Sequence, residues 1–146
     1  MSNAGVRPEV RDFLERYEQA GDDIDLQAVG ASFADVFLSL DPNEVASATR
    51  EQLLSVLPRR QQLFAAIGGT GADLTKIAET VLDEQHTLVR TSWQLRFDAE
   101  HQNSEPFTLH STFLLRLDEG CWRIVVYLNH QDVAALAAGR LEASHA

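Results

Sequence analysis

The sequence predicts an α+β fold, with helices at the start of the chain and a curved antiparallel sheet after them. Three observations carry that prediction. Apolar residues recur at helical spacing through residues 10–17 and again through 53–67. The period shortens towards two in residues 86–97, 107–117 and 121–131. A compact polar turn, Asp118-Glu119-Gly120, joins the last two of those runs into a hairpin. Helices followed by a meander of strands bury their apolar stripes on one face of the sheet.

Pro8 opens the first helix, where a missing N–H costs nothing. Val10, Phe13, Leu14 and Tyr17 form its stripe, and Gly21 ends it. After a Gly-Asp-Asp turn, a second helix is expected to bury Ile24, Leu26, Val29 and Phe33. Residues 36–40 are then extended, and Pro42 closes that segment because it has no N–H for a ladder. Thr49 followed by Gln52 is a capping-box pattern, so a third helix starts there. Pro58 lies within it and is expected to kink or split it. The Gly-Gly-Thr-Gly run at 68–71 stops the helix, and an irregular strand holding Leu74, Ile77 and Val81 follows. The strand at 86–97 is the most regular of all, with Arg90, Gln94 and Arg96 opposite Val89, Trp93, Leu95 and Phe97. Residues 98–106 form a polar connection, and a short helix with a frayed tail closes the chain. One domain spanning 8–135 is expected, with flexible termini at 1–7 and 140–146. Ser2, Asn3 and Ala4 read as an expression-tag remnant.

The totals narrow the function. The chain has 146 residues, enough for one domain with a real core. Twelve Lys and Arg face 22 Asp and Glu, a formal charge of -10. That excess repels phosphate backbones and anionic lipid, so neither nucleic-acid nor membrane partners are expected. No apolar run is long enough to span a bilayer, and the N-terminus has no apolar export segment. Cys121 is the only cysteine, which excludes an intramolecular disulfide and suits a reduced, cytoplasmic setting. The histidines show no metal-ligand spacing, and the glycine run lacks the Lys-Ser/Thr of a phosphate loop. No metal or cofactor is expected.

Residues 20–42, AGDDIDLQAVGASFADVFLSLDP, and residues 117–132, LDEGCWRIVVYLNHQD, carry a resemblance. The chain resembles the nuclear transport factor 2-like superfamily, which includes ketosteroid isomerases and SnoaL-like polyketide cyclases. The resemblance covers roughly residues 8–135. It implies a cystatin-like cone, with a pocket between the helices and the concave sheet and a homodimer formed through the outer face of the sheet. It also implies that Asp41, before Pro42, matches the general base of the isomerases. A carboxylate in an apolar pocket has a raised pKa and shuttles a proton beside a carbonyl. A turn aspartate before proline is the other reading of Asp41. The rest of the isomerase machinery is absent: Leu14 stands where its Tyr is expected and Phe113 where its second Asp is expected.

Charge decides which side chains face the pocket. Unpaired guanidinium groups are costly to bury, so Arg90, Arg96, Arg116 and Arg123 are placed on the outer face. His110, Thr112, Leu114, Val125, Tyr127 and Asn129 follow them outward. Thr91, Trp93, Phe97, Ser111, Phe113, Trp122, Ile124, Val126, Leu128 and His130 then face in. The predicted ligand pocket comprises Tyr17, Phe37, Phe64, Thr91, Trp93, Ser111, Phe113 and His130, mostly apolar with a few polar groups, as small-molecule sites are. Acid–base work would fall to Asp41 and His130, with Tyr17 positioning. His130 reads equally as a strand-end cap for the next helix, and Asp35 as a local backbone cap. The expected function is binding of a small, largely apolar molecule, with isomerase, cyclase or dehydratase chemistry. The alternative is a non-catalytic dimeric module of the same fold.

Overall fold

A computed structural model describes residues 5–101 and 105–145 of the protein. Ser2, Asn3 and Ala4 lie outside the described residues. The elements run α1 (Pro8–Asp22), α2 (Leu26–Ala31), β1 (Phe33–Leu40), β2 (Val45–Thr49), α3 (Arg50–Ala66), β3 (Gly69–Val81), β4 (His86–Phe97), β5 (Thr108–Asp118), β6 (Cys121–Asn129) and α4 (Val133–His145). The six strands form one sheet in the order β2-β1-β6-β5-β4-β3. All neighbours are antiparallel except β1 and β6, which run parallel. The architecture is the predicted α+β one.

Helix α1 buries Val10, Phe13, Leu14 and Ala20, the stripe that its spacing requires. These residues meet Phe33, Val89, Phe113, Leu115 and Ile124 in the main core. A second core joins Ile67, Leu95, Phe107 and Leu109 to Ala137 of α4. The β5–β6 hairpin turns through Glu119 (φ 50°) and Gly120 (φ 79°). Two consecutive left-handed residues match the twist of the flanking strands, as primed turns do. At the start of α3, Thr49 Oγ1 accepts from the Gln52 N–H and Gln52 Oε1 accepts from the Thr49 N–H, so the capping box is complete.

Several expectations are corrected. Pro58 neither splits nor ends α3, which runs unbroken from Arg50 to Ala66. Pro58 is exposed, and the turns on either side carry the helix past the one missing hydrogen bond. Phe33 belongs to β1 rather than to the second helix, and Ile24 is 58% exposed. Asp35 is no backbone cap: it lies in β1 and pairs with Arg50 at 3.1 Å. β2 has no counterpart in the sequence reading, because Val-Ala-Ser-Ala-Thr is too small and polar to mark a strand. The predicted loose ends are packed at their borders. Val6 is buried, Arg7 is bonded to Glu79, and α4 continues to His145. Arg140 lies over the rings of Phe97 (4.7 Å) and Phe107 (5.3 Å).

Two bulges decide which side chains point inward. In β3 the register shifts between Leu74 and Lys76, which lets Leu74 and Ile77 both reach the core although they are three apart. In β6 Leu115 pairs with Ile124 and Leu114 pairs with Val126, so Val125 is an extra residue. Every side chain after it changes face relative to a simple alternation. Tyr127 therefore points inward opposite Phe113, and Asn129 opposite Ser111. Val126, Leu128 and His130 point outward. Their predicted inward placement, and the outward placement of Tyr127 and Asn129, are corrected for this one reason.

Candidate functional site

A cavity of about 510 Å³ lies between the three N-terminal helices and the inner face of the sheet. The sheet contributes Trp93 and Leu95 from β4, Leu109, Ser111 and Phe113 from β5, and Tyr127 from β6. Residues 69–72 of β3 close one edge. Helix α1 contributes Tyr17, Glu18 and Asp22, and α2 contributes Leu26 and Val29. Helix α3 lays Leu57, Arg60, Gln61, Phe64 and Ala65 across the remaining side. None of the α3 side chains is fully buried, because the helix covers a space and not a filled core.

Rings give the wall its shape. Tyr17 meets Trp93 (6.0 Å) and Phe113 (5.7 Å) edge to face, and Phe113 lies 5.3 Å from Tyr127. Trp93 is oriented by its own strand. Its Nε1 donates to Thr91 Oγ1 at 2.8 Å, and that hydroxyl donates to the Ser111 carbonyl at 2.9 Å. Ser111 Oγ donates to Asn129 Oδ1 at 3.0 Å. Trp122 is on the same face, packed against the main core with Arg7 over its ring at 5.3 Å.

The polar groups of the wall differ in how far they are already engaged. Glu18 Oε2 accepts from the Leu74 N–H at 2.7 Å. Asp22 Oδ1 accepts from Arg96 Nη2 at 2.8 Å. Arg96 reaches it across β3 only because position 71 is glycine: a Cβ there would overlap the guanidinium and lie 2.6 Å from Asp22 Oδ1. Arg60 is different. Its Nη1 donates to the Tyr127 hydroxyl at 3.2 Å, and its guanidinium lies 5.8 Å from the Phe64 ring and 5.9 Å from the Tyr127 ring. Among the described residues no carboxylate pairs with it. Its pKa is held above the ordinary arginine value, chiefly by Tyr127, against the opposing effect of burial. Burial pushes the Tyr17 phenol up, with Tyr127 adding to the shift and Arg60 opposing it. Tyr17 is thus a neutral hydroxyl beside a permanent cation.

Of the residues that the sequence singled out, Tyr17, Phe64, Trp93, Ser111 and Phe113 line the cavity together. Thr91 stands behind the wall, where it holds Trp93. Phe37 is core, tilted against Phe33 at 4.6 Å. His130 lies on the opposite face of the sheet, its Nε2 2.7 Å from Thr112 Oγ1. Asp41 is outside the cavity. Its Oδ1 accepts from the N–H groups of Asn43 and Glu44, the turn role weighed for it above. Arg60 and Tyr127 were missed. Arg60 follows Leu57 by three and precedes Phe64 by four, so helical spacing alone puts all three on one face. Tyr127 carries no such signal, because a bulge leaves no mark in composition. Among the described residues no three His, Cys, Asp or Glu side chains converge as a metal would need.

Comparison with known proteins agrees with this architecture. A family model described as NTF2-like protein (DUF6841) matches residues 8–132. An NTF-2-like protein of unknown function from Shewanella oneidensis superposes with a TM-score of 0.69 at 15% identity, over 84% of this chain and 97% of that one. An NTF2-like protein of unknown function from Pseudomonas putida gives 0.66 at 15% identity, over 89% of each chain. A ketosteroid isomerase-like protein from Erwinia carotovora gives 0.63 at 16% identity, over 89% and 98%. Identities this low speak to the fold alone. No curated protein matches the sequence.

Proposed function

The chain belongs to the NTF2-like family DUF6841, and from that premise we propose that it binds a small, largely apolar molecule in the cavity between helices and sheet. The cavity itself carries the reading. Its volume of about 510 Å³ falls in the range of small-molecule sites, and aromatic and aliphatic side chains dominate its wall. The proposal is for binding. Isomerase, cyclase or dehydratase chemistry needs a free proton-transfer group inside the cavity; Asp41 and His130 both stand outside it, and the wall carboxylates Glu18 and Asp22 are engaged by the Leu74 N–H and by Arg96. The Trp122→Phe variant tests the proposal, because it leaves Trp93 in the wall as the only tryptophan. Titration with naphthols and with hydrophobic dyes is expected to give a saturable change in Trp93 emission. Ala72→Phe, which puts a ring into the cavity, is expected to abolish it. A folded variant that no probe saturates would sink the reading.

The second proposal concerns assembly. Leu88 pairs with Leu114, Leu114 with Val126, and Val126 with Leu38, a continuous apolar row across four strands on the outer face. Leu38 is 42% exposed. A row of this kind is suited to closure against a second copy, each covering the same residues of the other. Light scattering is expected to give twice the 16.2 kDa chain mass, and Leu114→Asp to give the monomer. A monomeric wild type at micromolar concentration would refute it. Cys121, the lone and exposed cysteine, suits a reducing, cytoplasmic setting for that dimer. No helix among the described residues is long and apolar enough to cross a membrane.

A further inference from the structure

We infer that the ligand of this cavity is a monoanion, an apolar molecule bearing one carboxylate, and that Arg60 receives that carboxylate. The inference rests on the reading of the cavity as a binding site and names the ligand class. Its basis is an arginine in the wall that no carboxylate of the wall pairs with. The two acidic wall residues are committed elsewhere, Glu18 to the Leu74 N–H and Asp22 to Arg96. Arg60 projects from α3 onto the aromatic floor, and its single hydrogen bond among the described residues goes to the neutral Tyr127 hydroxyl. One Nη donor is used there, which leaves the rest of a planar, five-donor fork. A cation held among rings without a counter-ion is costly unless something completes it.

The geometry selects among anions. A carboxylate offers two coplanar acceptors that match a guanidinium edge, and the pair is stronger where water is thin. Tyr17 and Tyr127 add hydroxyl donors on the same side, and Tyr17 keeps its proton because burial raises its pKa. One fixed positive charge neutralises one negative charge. A dianion such as a phosphate ester would keep an uncompensated charge in an aromatic cavity of a chain whose formal charge is already -10. Beyond Arg60 the wall is Trp93, Phe113, Leu57 and Leu109, so the body of the molecule is apolar.

Matched pairs of probes test this: 2-naphthylacetate against 2-naphthylacetamide, and cyclohexylacetate against its amide, by calorimetry on the wild type and on Arg60→Gln. The carboxylates are expected to bind the wild type at least tenfold more tightly than the amides. Arg60→Gln is expected to remove that preference while leaving amide binding within about twofold, and Arg60→Lys to restore part of it. Equal binding of acid and amide by the wild type would overturn the inference and leave the cavity reading intact. Failure of every acid and every amide to bind would overturn both. If Arg60→Gln does not fold, the wild-type preference between acid and amide still decides.

Discussion

Replacing Phe33 by alanine is expected to cost about 4 kcal/mol of folding stability, the usual range for deleting a buried phenylalanine ring being roughly 3–5 kcal/mol. Phe33 is fully buried and stands at the meeting point of the aromatic core. Its ring lies 4.6 Å from Phe37, 5.7 Å from Tyr127 and 6.2 Å from Tyr17. The hole would open behind the floor of the cavity, and close packing elsewhere limits how far it can collapse. Small domains are stable by only about 5–15 kcal/mol, so the loss is a large share of the total. A midpoint drop on the order of 10 °C is the corresponding thermal result for a chain of this length. Phe33→Leu keeps most of the volume and is expected to lose much less. Urea unfolding of the three proteins measures both effects. A loss under 1 kcal/mol for the alanine variant would show that Phe33 is not the keystone of this core.

The second large effect belongs to Glu79. Its side chain is 1% exposed, yet it is a carboxylate. Four donors converge on it: the Arg7 backbone N–H at 3.0 Å, Arg7 Nε at 3.0 Å, Arg7 Nη2 at 2.7 Å and Thr87 Oγ1 at 2.6 Å. Arg7 is also the residue from which α1 starts, and it has no side-chain cap of its own. Glu79 thereby ties the beginning of α1 to β3 and β4. Glu79→Ala strands the Arg7 amide and leaves the buried Thr87 hydroxyl only the Thr80 carbonyl, at 3.2 Å, as acceptor. Arg7 is about a third exposed and can turn to water, which limits the damage. The expected cost is about 3 kcal/mol, the lower end of what breaking a buried pair costs.

The pH dependence gives that prediction a second readout. Burial alone would raise the Glu79 pKa, but the Arg7 side chain, the Arg7 N–H and the Thr87 hydroxyl outweigh it, and the net shift is downward. A carboxyl with a depressed folded pKa contributes stability above its unfolded pKa, and that stability is lost as pH falls through the folded value. The gap between wild type and Glu79→Ala is therefore full at pH 7 and closes below about pH 4. Asp83 and Asp98 are also depressed, each first by the hydrogen bond to its histidine, His86 and His101. Both are present in either protein, so they bend the two curves alike and leave the difference to Glu79. A gap of the same size at pH 3 and pH 7 would contradict this account.

Which parts could be read in advance follows from how each part is written in the sequence. β4 matched in its bounds, because apolar and polar residues alternate from Ser92 to Phe97 and no bulge falls on this strand. Helix α1 and the β5–β6 turn were legible for similar reasons: one stripe at helical spacing, one glycine where the backbone needs a left-handed conformation. The parallel contact of β1 with β6 was not legible, since it joins segments some 90 residues apart and depends on the whole chain. The site divided along the same line. Tyr17, Trp93, Ser111 and Phe113 sit on regular stretches, and their faces could be counted. Arg60 sits behind Pro58, which drew attention to a break that does not occur. Asp41 looked chemical because a resemblance put it there, whereas its local hydrogen bonds make it a turn residue.

The extra residue at Val125 has a wider consequence. Whether that residue is looped out of the ladder or paired within it determines whether a phenol or an imidazole is delivered to the interior from the last strand. Pairing Val125 into the ladder would swap the addresses of Tyr127 and His130 without altering either side chain, whereas deleting it would leave both where they are. In comparing relatives of this fold, the pairing register of that strand between its turn and its end is thus itself a chemical variable. Two chains with identical letters would hold different reagents in their hollows if one kept this kink and the other ran a straight ladder.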